Sequence, residues 1–112
     1  EGFLALETGR VDAYSTDHIL LFGLISKAKK PADYAVVGSF LSYDPYAIMV
    51  RRDDSAMRLV ANSELSDLFR SGEINKIYDK WFMKALPEGG NALGVPQTDL
   101  LKAAYTMQAL PY

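Results

Sequence analysis

The spacing of apolar and polar residues changes period several times along the chain, and each change marks an expected element. Phe3, Leu4 and Leu6 fit one side of a helical turn that ends at Gly9, a residue suited to the left-handed conformation found just past helix ends. Residues 11–15 (Val-Asp-Ala-Tyr-Ser) alternate apolar with polar, the period of a short strand. Thr16 and Asp17 are both good N-caps, so a helix is expected to follow. Its apolar residues Leu20, Leu21, Leu24, Ile25 and Ala28 share a face, and Lys27, Lys29 and Lys30 place positive charge in its last turn before Pro31.

Residues 34–38 (Tyr-Ala-Val-Val-Gly) and 46–50 (Tyr-Ala-Ile-Met-Val) have the β-branched and aromatic content of buried strands, with residues 39–45 an extended crossing between them. Asp53, Asp54 and Ser55 open a long helix whose inner face is Met57, Val60, Ala61, Leu65, Leu68 and Phe69, and Ser71-Gly72 breaks it. Ile74, Ile77, Tyr78, Trp81 and Phe82 then recur at i, i+3, i+4, i+7 and i+8, the clearest amphipathic pattern present. After Pro87 the chain turns to Glu88-Gly89-Gly90-Asn91, a loop, and Thr98-Asp99 caps a last helix running to about Ala109. Strand and helix alternate through the first half, so the expected class is α/β with a largely parallel sheet flanked by helices.

Composition narrows the function. Among 112 residues 49% are hydrophobic and 23% charged, which is ordinary for a folded domain. The 12 basic and 14 acidic residues are spread evenly, with no basic stripe to neutralise phosphates, so nucleic acid is not an expected partner. No cysteine and one histidine argue against a disulfide framework, a catalytic thiol or a metal site, and no cofactor is expected. The most apolar run, residues 19–25, is far short of the ~18 residues that suggest a membrane span, so no membrane insertion is expected. The chain opens inside an apparent helix, which suggests a piece of something longer.

Asp17 is the most informative polar position. In an open α/β sheet ligands bind beyond the carboxyl ends of strands, and Asp17 stands where an expected strand passes into a helix. A carboxylate there either caps the helix or pairs with a ligand ammonium group. Ser15, Thr16 and His18 surround it, and His18 reads as a solvated first-turn residue without a catalytic partner. Asp12, on the other side of its strand, reads as a structural hydrogen-bonding group. Tyr14, Tyr43 and Tyr46 are pocket-lining or packing residues. Arg51-Arg52 beside Asp53-Asp54 reads as a solvated charge cluster, an anion clamp there lacking a helix N-terminus to complete it. No nucleophile elbow, phosphate loop or metal-ligand spacing occurs, and no catalytic residue is assigned.

Three segments in this order resemble the extracellular solute-binding proteins that serve polar-amino-acid ABC transporters. Leu6-Glu7-Thr8-Gly9-Arg10-Val11-Asp12-Ala13, with Asp17 four residues on, is similar to the segment LexGRVDAxxxD. Residues 42–49, Ser-Tyr-Asp-Pro-Tyr-Ala-Ile-Met, resemble SxEPYGIM, with Ala47 in place of the usual glycine. Residues 71–82, Ser-Gly-Glu-Ile-Asn-Lys-Ile-Tyr-Asp-Lys-Trp-Phe, resemble SGEIxKIYDKWF, the most specific of the three. Lys27 to Pro31 and the final helix favour the glutamate/aspartate-binding subgroup, and His18 stands where that family often has aspartate.

The resemblance implies a periplasmic binding component of an amino-acid importer, exported on a signal peptide, with the two-lobed type II periplasmic-binding fold and no enzymatic activity. Within it, residues 1–39 correspond to the C-terminal part of the second lobe and 40–47 to a return hinge strand. Residues 48–86 then correspond to the return to the first lobe, and 87–112 to a tail. Asp17 falls on the position that binds a ligand's α-ammonium, Thr16 and Tyr46 are expected as further ligand-binding residues, and the ligand is expected to be L-glutamate, L-aspartate or a related polar amino acid. The arginine that takes the α-carboxylate would lie before Glu1, and the partners implied are the transporter permease and the N-terminal remainder of the same protein. The same fold also serves receptor and kinase sensor domains and a few cyclic-acid dehydratases, and a bare fragment without activity is a further reading. Leu65, Leu68, Phe69, Ile77, Trp81 and Phe82 form a stripe that so few strands would leave uncovered, at ~1.5 to 3 kcal/mol per side chain. Cover is therefore expected from the remainder of the protein or from an intertwined oligomer.

Overall fold

The computed structural model describes residues 1–85 and 90–108. Five α-helices run in the order α1 (Gly2–Glu7), α2 (His18–Lys27), α3 (Ser55–Ser71), α4 (Glu73–Tyr78) and α5 (Asp99–Gln108). A 3-10 turn at Pro31–Asp33 follows α2, and α4 widens into a π-helical turn at Asp79–Met83. The turn expected at Glu88-Gly89 and the end of the last helix at Ala109 lie outside the described residues.

Local sequence explains the boundaries. Gly9 has φ 70°, so it does take the left-handed conformation that stops α1. Helix α2 ends one residue earlier than its apolar face suggests. Ala28 has extended backbone (φ −65°, ψ 153°), which leaves Lys29 and Lys30 beyond the last turn and only Lys27 within it. The side chain of Asp54 caps α3, its Oδ1 accepting from the Met57 amide at 2.9 Å. Gly72, at φ 78°, both ends α3 and begins α4. Thr98 caps α5, its Oγ1 accepting from the Leu101 amide at 3.1 Å.

The three expected strands do not form. No described residue is in a strand, and none of the backbone bonds outside the helices joins any two of residues 11–15, 34–38 and 46–50. Strand character in sequence is a capacity to pair, and it becomes a strand only when a neighbour takes the ladder bonds. Tyr34 already has extended backbone, at φ −123° and ψ 145°, but without that neighbour the segment stays irregular.

Packing falls into two groups. In the first, α2 contacts the 3-10 turn, the Phe3 and Tyr34 rings lie 5.3 Å apart, and the Tyr14 ring presses onto Gly2. A β-carbon at Gly2 would sit 2.2 Å from that ring, so only glycine permits the approach. In the second group α3 packs against α4 and α5, with the Phe69 and Tyr105 rings 5.2 Å apart. The segment around Val95 closes this group. Val95 is fully buried, its amide donates to the Phe82 carbonyl at 3.1 Å, and its carbonyl accepts from the Tyr78 hydroxyl at 2.9 Å. Phe82 lies in the last turn of its helix, where carbonyls lack intrahelical partners, so the first bond costs the helix nothing. Two residues on, Gln97 Nε2 also donates back to Asn75 Oδ1 on α4 at 3.0 Å.

Little else is buried. Tyr78 and Val95 are the buried apolar residues among those described, while Val37, Leu41 and Met49 are 85%, 89% and 96% exposed. Of the amphipathic stripe, Leu65, Leu68, Phe69 and Phe82 are half-buried and Ile77 and Trp81 are exposed. The molecule measures 50 × 29 × 28 Å with a Cα radius of gyration of 17.3 Å, where a compact domain of this length has about 13 Å. Its accessible surface is 9258 Å², against about 6,100 Å² for a compact monomer of this mass.

Two outcomes follow for this region. Tyr78→Phe leaves the buried Val95 carbonyl without a donor, so urea unfolding should show a loss of roughly 1 to 3 kcal/mol in the complete gene product; an unchanged midpoint would contradict the assigned bond. The 112-residue piece on its own should elute in gel filtration as an associated or expanded species. A sharp, compact monomer peak would show that the exposed apolar surface needs no cover.

Candidate functional site

The site is built where residues 15–18 enter α2. Asp17 occupies the N-cap position with φ −55° and ψ 135°, and its carbonyl accepts the first intrahelical bond, from the Leu21 amide at 3.0 Å. Its side chain, however, makes no capping hydrogen bond. The carboxylate turns outward, and Oδ2 accepts from the Tyr46 hydroxyl at 3.0 Å. The simple capping role therefore fails for the side chain, which is held across 29 residues of sequence by a partner on the returning segment.

Two contacts bring that segment back to the start of α2. One is the Tyr46 bond. The other is His18, whose ring meets Phe22 at 5.0 Å and Phe40 at 5.2 Å, both edge to face. His18 is thus half-buried among aromatic rings and not the solvated first-turn residue expected from sequence. Ser42 Oγ donates to Asp44 Oδ2 at 2.9 Å, a local tie in the loop between Phe40 and Tyr46.

The charge at Asp17 governs its partner. The hydrogen bond from Tyr46, and the negative carboxylate it reaches, both favour the protonated phenol and hold the Tyr46 pKa above the usual tyrosine value. Elsewhere burial raises the Tyr78 phenol, and burial raises Tyr105, with the Tyr43 phenol adding to it.

The other sequence candidates are placed apart or differently. Thr16 is half-buried beside Asp17 and makes no side-chain hydrogen bond among the described residues. Asp12 is exposed and makes none either, so its expected structural hydrogen bond is absent. Tyr14 packs on Gly2, and Tyr43 is exposed near Tyr105. Arg51, Asp53, Asp54, Ser55 and Arg58, with Val50, line a shallow depression at the start of α3. A helix N-terminus is present there after all, yet the Asp54 carboxylate already takes the Met57 amide, which disfavours an anion. Asp53 has φ 63°, a left-handed conformation that aspartate tolerates better than most residues. Among the described residues no three His, Cys, Asp or Glu side chains gather as a metal site, and no helix is long and apolar enough to cross a membrane.

Comparison with known proteins decides the family. An L-glutamate/L-aspartate-binding protein of Pseudomonas aeruginosa is 44% identical over 102 residues, 91% of this chain and 34% of the relative. The chain belongs to the solute-binding proteins of ABC transporters. A glutamate/aspartate import solute-binding protein of Escherichia coli is 33% identical over 105 residues, covering 94% of the chain and 35% of that protein. An ABC transporter glutamine-binding protein of Bacillus subtilis is 33% identical over 81 residues, 72% of the chain and 29% of its length. The chain thus spans about a third of the length of the curated relatives it matches. These relatives are binding proteins rather than enzymes. No family model matches the chain, and no solved structure matches it.

The Tyr46 bond predicts its own titration. The phenol proton stabilises the contact below the ordinary tyrosine pKa of about 10 and is lost as pH rises through the raised value. Ultraviolet titration of the wild type minus Tyr46→Phe should isolate a phenol titrating above that range, and Asp17→Asn should lower it. An Asp17→Asn profile identical to the wild type would show that the two side chains do not meet in solution.

Proposed function

We propose that this chain is part of the periplasmic receptor of an amino-acid importer, which captures an acidic L-amino acid, glutamate or aspartate, and delivers it to the transporter's permease. The observation that carries the reading is the 44% identity to an L-glutamate/L-aspartate-binding protein over 91% of the chain. Two of the three relatives described share that ligand class by name.

Within this reading Asp17 receives the ligand's α-ammonium group. Its carboxylate is exposed, it caps nothing with its side chain, and it lies beside the first turn of a helix. Thr16 and Tyr46 flank that contact. Residues 1–39 belong to the second lobe, 40–47 to the hinge segment that returns to the first, 48–86 to the first lobe and 87–112 to the tail. The exposed apolar residues of 37–49 and of α3 and α4 are then covered by the rest of the protein, which also supplies the arginine for the ligand's carboxylate. Closure of the lobes on ligand produces the state that the permease recognises.

Isothermal titration of the complete gene product with L-glutamate, L-aspartate, L-glutamine, L-histidine and L-arginine tests the reading. Tight binding confined to the acidic pair is expected, and silence across the panel would move the protein to the sensor or dehydratase branches of the fold. Asp17→Ala should weaken the acidic ligands by about thirtyfold or more, equivalent to roughly 2 kcal/mol for loss of one partner of a desolvated charge pair. Unchanged affinity would remove Asp17 from the site.

A further inference from the structure

An exposed carboxylate is a poor amine receptor unless something holds it, because a freely rotating side chain loses entropy when the ligand fixes it. Asp17 is held. Its Oδ2 accepts from Tyr46, its side chain makes no bond to the amides of α2, and Oδ1 accepts no hydrogen bond among the described residues. The holder is a neutral donor. A lysine or arginine in its place would cancel the charge an ammonium group needs, whereas a phenol fixes the carboxylate and leaves its charge intact.

The tyrosine is itself delivered to that position. The Phe40 edge contact with His18, the residue after Asp17, pins the start of the returning segment on α2, and Tyr46 reaches the carboxylate from six residues farther on. Tyr46 is 80% exposed, so burial does not explain its place; the bond to Asp17 and the local fold of the segment do.

We infer that Tyr46 is a positioning residue for amine capture, its hydroxyl holding Oδ2 of Asp17 so that Oδ1 is presented to the ligand's ammonium group. The inference rests on the proposed role of Asp17 and adds to it: Tyr46 acts through Asp17 and not by touching the ligand. It also makes the returning segment sensitive to what Asp17 binds, because the same carboxylate is shared between the two.

The test is a double-mutant cycle on the complete gene product, read by isothermal titration with L-glutamate and with glutarate, which keeps both carboxylates and lacks the ammonium group. Tyr46→Phe removes the donor and keeps the ring, and an unchanged melting temperature shows that the fold is intact. For L-glutamate it should weaken binding roughly three- to tenfold, as loss of one hydrogen bond to a charged group does at an exposed site. In the Asp17→Asn background the same substitution should have no further effect, and glutarate should bind the wild type and Tyr46→Phe equally. An equal loss in both backgrounds, an equal loss for both ligands, or no loss at all would overturn the positioning role while the receptor function stands. A wild type that does not bind L-glutamate would sink the receptor reading and this inference with it, whereas an Asp17→Asn variant that binds it normally would remove Asp17 from the site and overturn this inference alone.

Discussion

The helical group at the C-terminal end, α3 to α5, is closed around one buried residue. Val95 is gripped through both its amide and its carbonyl, by Phe82 and by Tyr78, and around that grip α3, α4 and α5 find their packing. An unpaired carbonyl there would cost as much as several exposed contacts are worth, so the Tyr78 hydroxyl decides whether the cluster closes. Surface ion pairs within single helices, such as Arg70 with Asp67 at 3.0 Å, add little by comparison because both partners are exposed. What the grip cannot do is cover the outer faces. Trp81 and Ile77 stay open on α4 and its π-helical turn, and the whole run from Val37 to Met49 stays open between the two packed groups.

That open surface connects the fold to the function. The chain spans 34% of the length of an L-glutamate/L-aspartate-binding relative, and its large radius and large accessible surface show how little of its apolar area these residues cover among themselves. The returning segment 40–46 is nevertheless brought back to α2 by two specific contacts, Phe40 on His18 and Tyr46 on Asp17. The polar focus of the proposed site is thus assembled without any strand among the described residues.

Sequence was most informative where an element depends on near neighbours. The Asp54 and Thr98 caps, the left-handed Gly9 and Gly72, and the amphipathic spacing through Tyr78 and Phe82 all act within a turn or two, and all appear where the pattern placed them. Strands depend on remote partners, so residues 11–15, 34–38 and 46–50 carried strand composition without forming strands. At the end of α2, Ala28 continues the apolar face while its backbone has already left the helix, so the pattern runs one residue past the helix itself. At the site, the place of Asp17 at the start of α2 was legible, but its tie to Tyr46 and the half-burial of His18 between Phe22 and Phe40 were not. The Tyr46 bond and the Phe40 contact join residues more than twenty apart, and no local period announces them.

A crystal structure of the complete gene product grown with L-glutamate tests the central claim most directly. The account predicts the ligand ammonium within hydrogen-bond distance of the Asp17 carboxylate, with the Tyr46 hydroxyl on the same group and residues 34–38 and 46–50 paired into strands. An ammonium group held by other residues, with Asp17 turned to the amides of α2, would contradict it.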